Sequence, residues 1–413
     1  MPQEKDFVYE RTIQAPADLI YRAFTSGTAL REWLCDIGFT HPEEGGWIFM
    51  MWNRGYFASG YYTKLVPEKV VSFKWIGKEE PSWSQVDVMI SPLDDENHHK
   101  IVLRHSEIGM GEAWEKARKE ISKGWQVGLD NLKSTLEGGQ DLRFVKRPLI
   151  GIYPDDLPDL TQAAFEALEV PVKQGVRVRE VVPGYGADQV GIQPDDVIVA
   201  LNGQEVDGVR TLLALMSELS SGDEVVVTAY RKNEKMTFVI SAKPQKIEDI
   251  PDTPEELAKE LETRFSKELD SLEGILEGVT SFEASYSPGP EEWSTKETLV
   301  HLILSEREMH IWINDLISGH ERIQDEWPGN SLLRIRATLT AYPTIDDLMA
   351  EYKRSLKETV AIVAFLDTDF TRRKTSYWRL GMELLNIHNH IRDHIKQIED
   401  NLHEARTVMS SVS

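Results

Sequence analysis

The 413-residue chain has one cysteine, Cys35, so it can close no internal disulfide and build no cysteine-based metal cluster. Basic residues are in deficit. With 46 Lys and Arg against 69 Asp and Glu, the net charge is −23, which argues against a nucleic-acid partner because phosphate binding is driven by cations. No uninterrupted apolar run approaches the ~18 residues that a membrane span requires. The stretch from Met1 to Phe7 lacks the basic and apolar regions of a signal peptide, so a cytoplasmic location is expected. GlyxSerxGly and HisGluxxHis are both missing, and a protease is not expected. What is present, 41% hydrophobic and 28% charged residues, suits a soluble chain with real cores, and the length suggests roughly three domains.

Residue types divide the chain in the same way. Tryptophan and histidine occur up to Trp125 and again from Trp293 onward, but the stretch between has neither. Glycines after Glu137 and a polar, proline-bearing run from Lys243 to Pro254 read as joins. The expected domains are 1–142, 143–246 and 252–405.

In the first segment, PheValTyrGluArgThrIle reads as a strand and AlaProAlaAspLeuIleTyrArgAlaPhe as a helix with Pro16 near its first turn. Several strand-like runs follow, and a helix from about Gly111 to Leu136 places Trp125, Leu129 and Leu132 on one face. With AlaPheThrSer, LeuArgGluTrpLeu and a closing GlyTrp helix, the segment resembles the SRPBCC (START-like) superfamily, in particular the branch related to activators of heat-shock-protein ATPase. That resemblance implies an α+β helix-grip fold that often encloses an apolar cavity for a small ligand. Trp33, Trp52, Phe57, Phe73, Trp75 and Trp125 either line such a cavity or fill the core.

The second segment contains GlyValArgValArgGluValValProGlyTyrGlyAla and GlyIleGlnProAspAspValIleValAlaLeuAsnGly, and resembles a mainly β PDZ domain of the HtrA-like, permuted type. Pro194 and Asp195 depart from the family's usual loop. PDZ domains add a C-terminal peptide to a sheet edge and hold its carboxylate on backbone N–H groups. Leu149, Ile150, Gly151 and Ile152 match the loop that does this. Leu212, Leu215, Met216 and Leu219 recur at helical spacing, so that face either lines the peptide groove or is plain core.

The third segment reads as four long helices with polar connections, an all-α up-down bundle. Thr253 with Pro254 and Glu256, and Ser294 with Glu297, mark two helix starts. His390 and His394 lie four residues apart and so share one helix face, while His301 sits in an earlier helix. Three imidazoles of this kind can hold a metal and leave a position open; Zn, Ni and Fe(II) suit them equally. His388 and His310 fall on other faces. TrpSerThrLysGluThrLeuValHisLeu and HisAsnHisIleArgAspHisIleLysGlnIle resemble the DinB-like family, whose metal triad maps onto His301, His390 and His394. The resemblance implies a metal-dependent transfer of a low-molecular-weight thiol to an electrophile, as in stress or detoxification. The other reading is a non-enzymatic adaptor or chaperone co-factor that works through its first two domains.

Overall fold

The computed structural model describes residues 6–412 apart from 54, 96, 161, 218, 290, 291 and 324–330. The chain forms two compact units, Met1–Gly139 with Glu248–Ser413, and Gln140–Ile247. The first and third segments therefore belong to one unit, and the second stands as its own.

The N-terminal domain begins with β1 (Phe7–Gln14), α1 (Ala17–Thr25) and α2 (Gly27–Trp33). It continues through β2 (Ile37–Thr40), β3 (Trp47–Trp52), β4 (Tyr56–Val66), β5 (Val70–Gly77), β6 (Ser84–Pro92) and β7 (His98–Ser106), then closes with α3 (Glu112–Gly138). The seven strands form an antiparallel sheet in the order β1-β7-β6-β5-β4-β3-β2. Alternate residues of β6 and β7 turn inward: Val86, Val88, Ile101 and Leu103 are fully buried. Against them α3 lays Trp125, Leu129 and Leu132. Gly128 lets this helix approach closely, since a Cβ there would stand 3.2 Å from Leu34 Cδ1. This is the helix-grip arrangement expected.

The central unit holds α4 (Leu142–Val145), β8 (Pro148–Leu149), β9 (Ile152–Asp156), α5 (Gln162–Ala167), β10 (Val176–Val181), α6 (Gly186–Gln189), β11 (Val197–Leu201) and β12 (Gln204–Glu205). It ends with α7 (Val209–Met216), β13 (Glu224–Arg231), β14 (Glu234–Ser241) and β15 (Lys243–Pro244). Its main sheet runs β14-β13-β11-β10-β9 with β12 on β11, which leaves β9 at an edge. β15 pairs with β8.

The helical domain consists of α8 (Pro254–Leu276), α9 (Ser281–Ser285), α10 (Thr295–Ser318), α11 (Leu332–Ala341), α12 (Ile345–Ala364), α13 (Thr368–Thr371) and α14 (Lys374–Val412). The starts fall where capping chemistry marks them. Thr253 Oγ1 accepts from Glu256 N, and Ser294 and Glu297 bond each other reciprocally ahead of α10. α10 and α14 each pack between α8 or α12 and one another, and this contact carries the histidines. Among the described residues no helix is long and apolar enough to cross a membrane.

The N-terminal and helical domains share a polar, buried seam. Glu321, just past α10, receives a two-pronged pair from Arg379 at 2.8 and 3.0 Å, an ion pair from Arg31 at 3.1 Å and the Trp312 indole N–H at 2.9 Å. Its own N–H donates to Thr28 Oγ1. Ser376 donates to Glu32 at 2.5 Å, Thr375 to the Thr135 carbonyl at 2.9 Å, and Arg372 pairs with Asp18.

Candidate functional site

Two turns into α10, His301 faces α14. His301 Nε2 lies 3.0 Å from His390 Nε2, which in turn lies 3.0 Å from His394 Nε2. All three nitrogens fall within 4.8 Å of one another. Two observations suit His390 and His394 to ligation. His394 Nδ1 sits 2.8 Å from Gln397 Oε1, an acceptor, so Nδ1 carries the proton and Nε2 presents a bare lone pair. Burial, followed by the neighbouring His394 and His301, pushes His390 down to about 4, and burial also lowers His394, so both are neutral at pH 7. Metal–nitrogen bonds of about 2.05 Å at tetrahedral angles require nitrogens about 3.3 Å apart. The two 3.0 Å contacts need to open by only a few tenths of an ångström. The Trp293 ring packs 5.0 Å from His301, and Asn401 ties the Trp293 carbonyl to α14 at 2.7 Å.

The other histidines go elsewhere, as their spacing predicts. His388 Nδ1 bonds the Leu385 carbonyl at 2.6 Å. His310 Nε2 lies 2.8 Å from Thr359 Oγ1.

That second contact leads to a residue that sequence reasoning missed. Glu306 is 2% exposed and accepts a hydrogen bond from the Thr359 hydroxyl. Burial raises its carboxyl to about 7, with the Thr359 bond acting the other way. The fold thus binds a proton that the unfolded chain has already released. Stability should fall as pH rises from the ordinary carboxylate range to about 7, then level off. Glu306→Gln is expected to flatten that profile and to stabilise the protein at pH 8 by up to about 3 kcal/mol, read from urea midpoints across pH.

In the N-terminal domain, Trp33, Phe73, Trp75 and Trp125 are at most 5% exposed and lie in one cluster, with Trp52 at its border 6.5 Å from Trp75. Phe57 does not join them. It is 42% exposed on the opposite sheet face, stacked on Phe49 at 6.3 Å. Glu80 is buried beside Tyr56 and Trp75; its Oε1 accepts from Tyr56 at 2.9 Å and from the Trp75 indole at 3.2 Å, while its Oε2 has no hydrogen-bond partner among the described residues. Ser84 Oγ and His105 Nε2, 2.8 Å apart, have the spacing of a nucleophile and its base. Trp125 Nε1 donates to His105 Nδ1 at 2.9 Å, however, so the ring's own proton sits on Nε2 and points at the serine. His105, pushed down to about 3 by burial, accepts no proton from Ser84.

In the central unit, Gly151 has φ +87°, and a Cβ there would stand 2.1 Å from that of Tyr185. Its carbonyl accepts from Val182 N at 2.9 Å, and that of Ile150 from Ala187 N at 2.8 Å. Both of these loop carbonyls are thus tied back within the unit. Beside it stands α7, capped by Asp156 Oδ1 on Val209 N. Leu212 and Met216 are buried, and Leu215 and Leu219 pack half-buried at the same core.

Three family models match the chain in order. These are the activator of Hsp90 ATPase homolog 1-like protein over residues 14–137, the PDZ domain over 148–241 and the DinB superfamily over 264–398. The chain carries an SRPBCC-type domain of the Hsp90-ATPase-activator kind, then a PDZ domain, then a DinB-like helical domain. Among curated proteins, the serine protease Do-like HtrA of Bacillus subtilis is 32% identical over 119 residues, which is 28% of this chain and 26% of that protein. The periplasmic pH-dependent serine endoprotease DegQ of Escherichia coli is 24% identical over 205 residues, 50% of this chain and 39% of that one. The chain thus spans well under half of these relatives. Among solved structures, the Aha1 dimer from Colwellia psychrerythraea is 23% identical with a TM-score of 0.30, covering 33% of this chain and 98% of that one. Protein MLL2253 from Mesorhizobium loti is 21% identical with a TM-score of 0.29, covering 32% and 96%.

Proposed function

We propose that this multidomain binding protein holds one divalent transition metal (Zn, Ni or Fe) on His301, His390 and His394 and uses it to join a low-molecular-weight thiol to a small electrophile. In this reading the PDZ domain docks the C-terminal peptide of a protein partner, and the ring cluster around Trp52, Trp75 and Trp125 is where the first domain would take an apolar ligand. The cytoplasm is the compartment we attach to it. One observation carries the reading: three imidazoles from two helices converge with their Nε2 atoms 3.0 Å apart along the chain of contacts. A metal there would supply Lewis acidity at an open position, lowering the pKa of a thiol bound beside it. The protein's part is to fix the nitrogens, through Gln397 on His394 and through the cap that starts α10.

The second reading, an adaptor or chaperone co-factor, draws support from the first domain, where Ser84 and His105 face each other with the proton on the wrong side for catalysis. Metal-loaded full-length protein, mixed with a panel of small thiols and monobromobimane, separates the two. Conjugation at least about tenfold above background is the expected result. A protein that retains stoichiometric metal yet shows only background conjugation with every thiol is the adaptor.

A further inference from the structure

The open edge of the central sheet has a defect on the side where a peptide strand would be added. β9 pairs with β10 so that Ile152 faces Val181, Pro154 faces Val178 and Asp156 faces Val176. Just beyond the two ends, Val182 N–H donates to the Gly151 carbonyl at 2.9 Å and Leu157 N–H to the Gly175 carbonyl at 3.3 Å. Bonded and unbonded pairs alternate along an antiparallel ladder. Residues 151, 153, 155 and 157 therefore turn their backbone groups toward β10, whereas 152, 154 and 156 turn theirs to the free edge. The irregularity in the pairing lies on β10, between Val178 and Glu180, and leaves the parity of β9 intact. The middle residue of the accepting edge is a proline, which has no N–H.

We infer that Pro154 shortens the stretch of peptide that the PDZ domain holds through the main chain, an inference that rests on the C-terminal-peptide reading above. A peptide strand antiparallel to β9, with its carboxylate on the Leu149–Ile152 loop, sets its last residue opposite Ile152 and its third-from-last residue opposite Pro154. The last residue's N–H reaches the Ile152 carbonyl. The third-from-last N–H reaches the Pro154 carbonyl. The carbonyl of that third-from-last residue meets the pyrrolidine ring and receives no donor. Readout then concentrates on the carboxylate and on the last side chain, which Ile150, Leu212 and Met216 surround with apolar atoms. The same proline keeps a neighbouring strand from zipping onto an otherwise unpaired edge.

The test uses the full chain and an array of hexapeptides ending in each apolar residue, with free and amidated C-termini; the tightest free-carboxylate binder becomes the probe. A second version of the probe carries an ester in place of the amide after the third-from-last residue, which weakens that carbonyl as an acceptor. Wild type should bind both versions equally, apart from the ester's own cost. Pro154→Val, which restores an N–H in a residue suited to strands, should bind the all-amide probe between about twofold and tenfold tighter, and the ester should cancel that gain. Pro154→Ala provides the same comparison with a smaller side chain. Equal affinity of wild type and both variants for the amide probe, with the same ester ratio throughout, would overturn the role of Pro154 and leave the groove standing. Absence of any carboxylate-dependent binding would remove the groove itself, and the inference with it.

Discussion

His390→Ala is expected to empty the metal site. The His390 nitrogen lies between the other two, at 3.0 Å from each. Without it His301 and His394 remain, and two imidazoles do not complete the three-ligand set that an open catalytic site uses. Metal per chain, measured by elemental analysis after dialysis, should drop from near one to below about a tenth. Alanine is the best helix former, so α14 should persist and far-ultraviolet circular dichroism should stay unchanged. His388→Ala is the matched control on the same helix. Its ring bonds the Leu385 carbonyl instead, and its removal should leave metal content intact. Equal loss of metal in both variants, or none in either, would refute the assignment.

Glu321→Ala is expected to destabilise the larger unit strongly. Its side chain is 4% exposed and serves Arg379, Arg31 and Trp312 at once. Removing one partner of a buried ion network leaves the others charged, desolvated and, here, alike in sign. Such losses run to about 3–5 kcal/mol. Burial alone would raise the Glu321 carboxyl, but Arg379 and Arg31 outweigh it and hold the group below its ordinary value. A depressed carboxylate stabilises above its unfolded pKa, and that contribution disappears as pH falls through the folded one. Wild type should therefore lose this increment on acidification, while Glu321→Ala should lack it at every pH. Urea midpoints for the two proteins between pH 7 and pH 3 check both parts. A variant within 1 kcal/mol of wild type at pH 7 would show that the seam is not held by this residue.

The histidine triad was legible because helix periodicity alone puts His390 over His394, and a capping box fixes where the helix of His301 begins. Fold class was legible for similar reasons: caps, turn glycines and alternating strands are local signals. Phe57 could have been read correctly. Ala58 and Tyr62 are the inward residues of β4, and period-two alternation turns Phe57 outward. Glu306 and Glu321 could not. Both owe their burial to partners far away in the chain, Thr359 for one and Arg31 and Arg379 for the other. A charged residue in a helix or a connection has no local mark that separates it from a solvated one. The seam that joins the first and last domains was hidden for the same reason.

That seam also sets an order of events during synthesis. The N-terminal domain leaves the ribosome with Arg31, Glu32 and Thr28 on a face whose counterparts, Glu321, Ser376 and Arg379, do not yet exist. The central unit, whose strands pair only with one another, completes itself in the interval. Glu321 arrives ahead of the last helix and Ser376 and Arg379 arrive with it, so the seam is complete only when translation has passed the start of α14. Maturation of the nascent chain thus ends where it began, at the first domain.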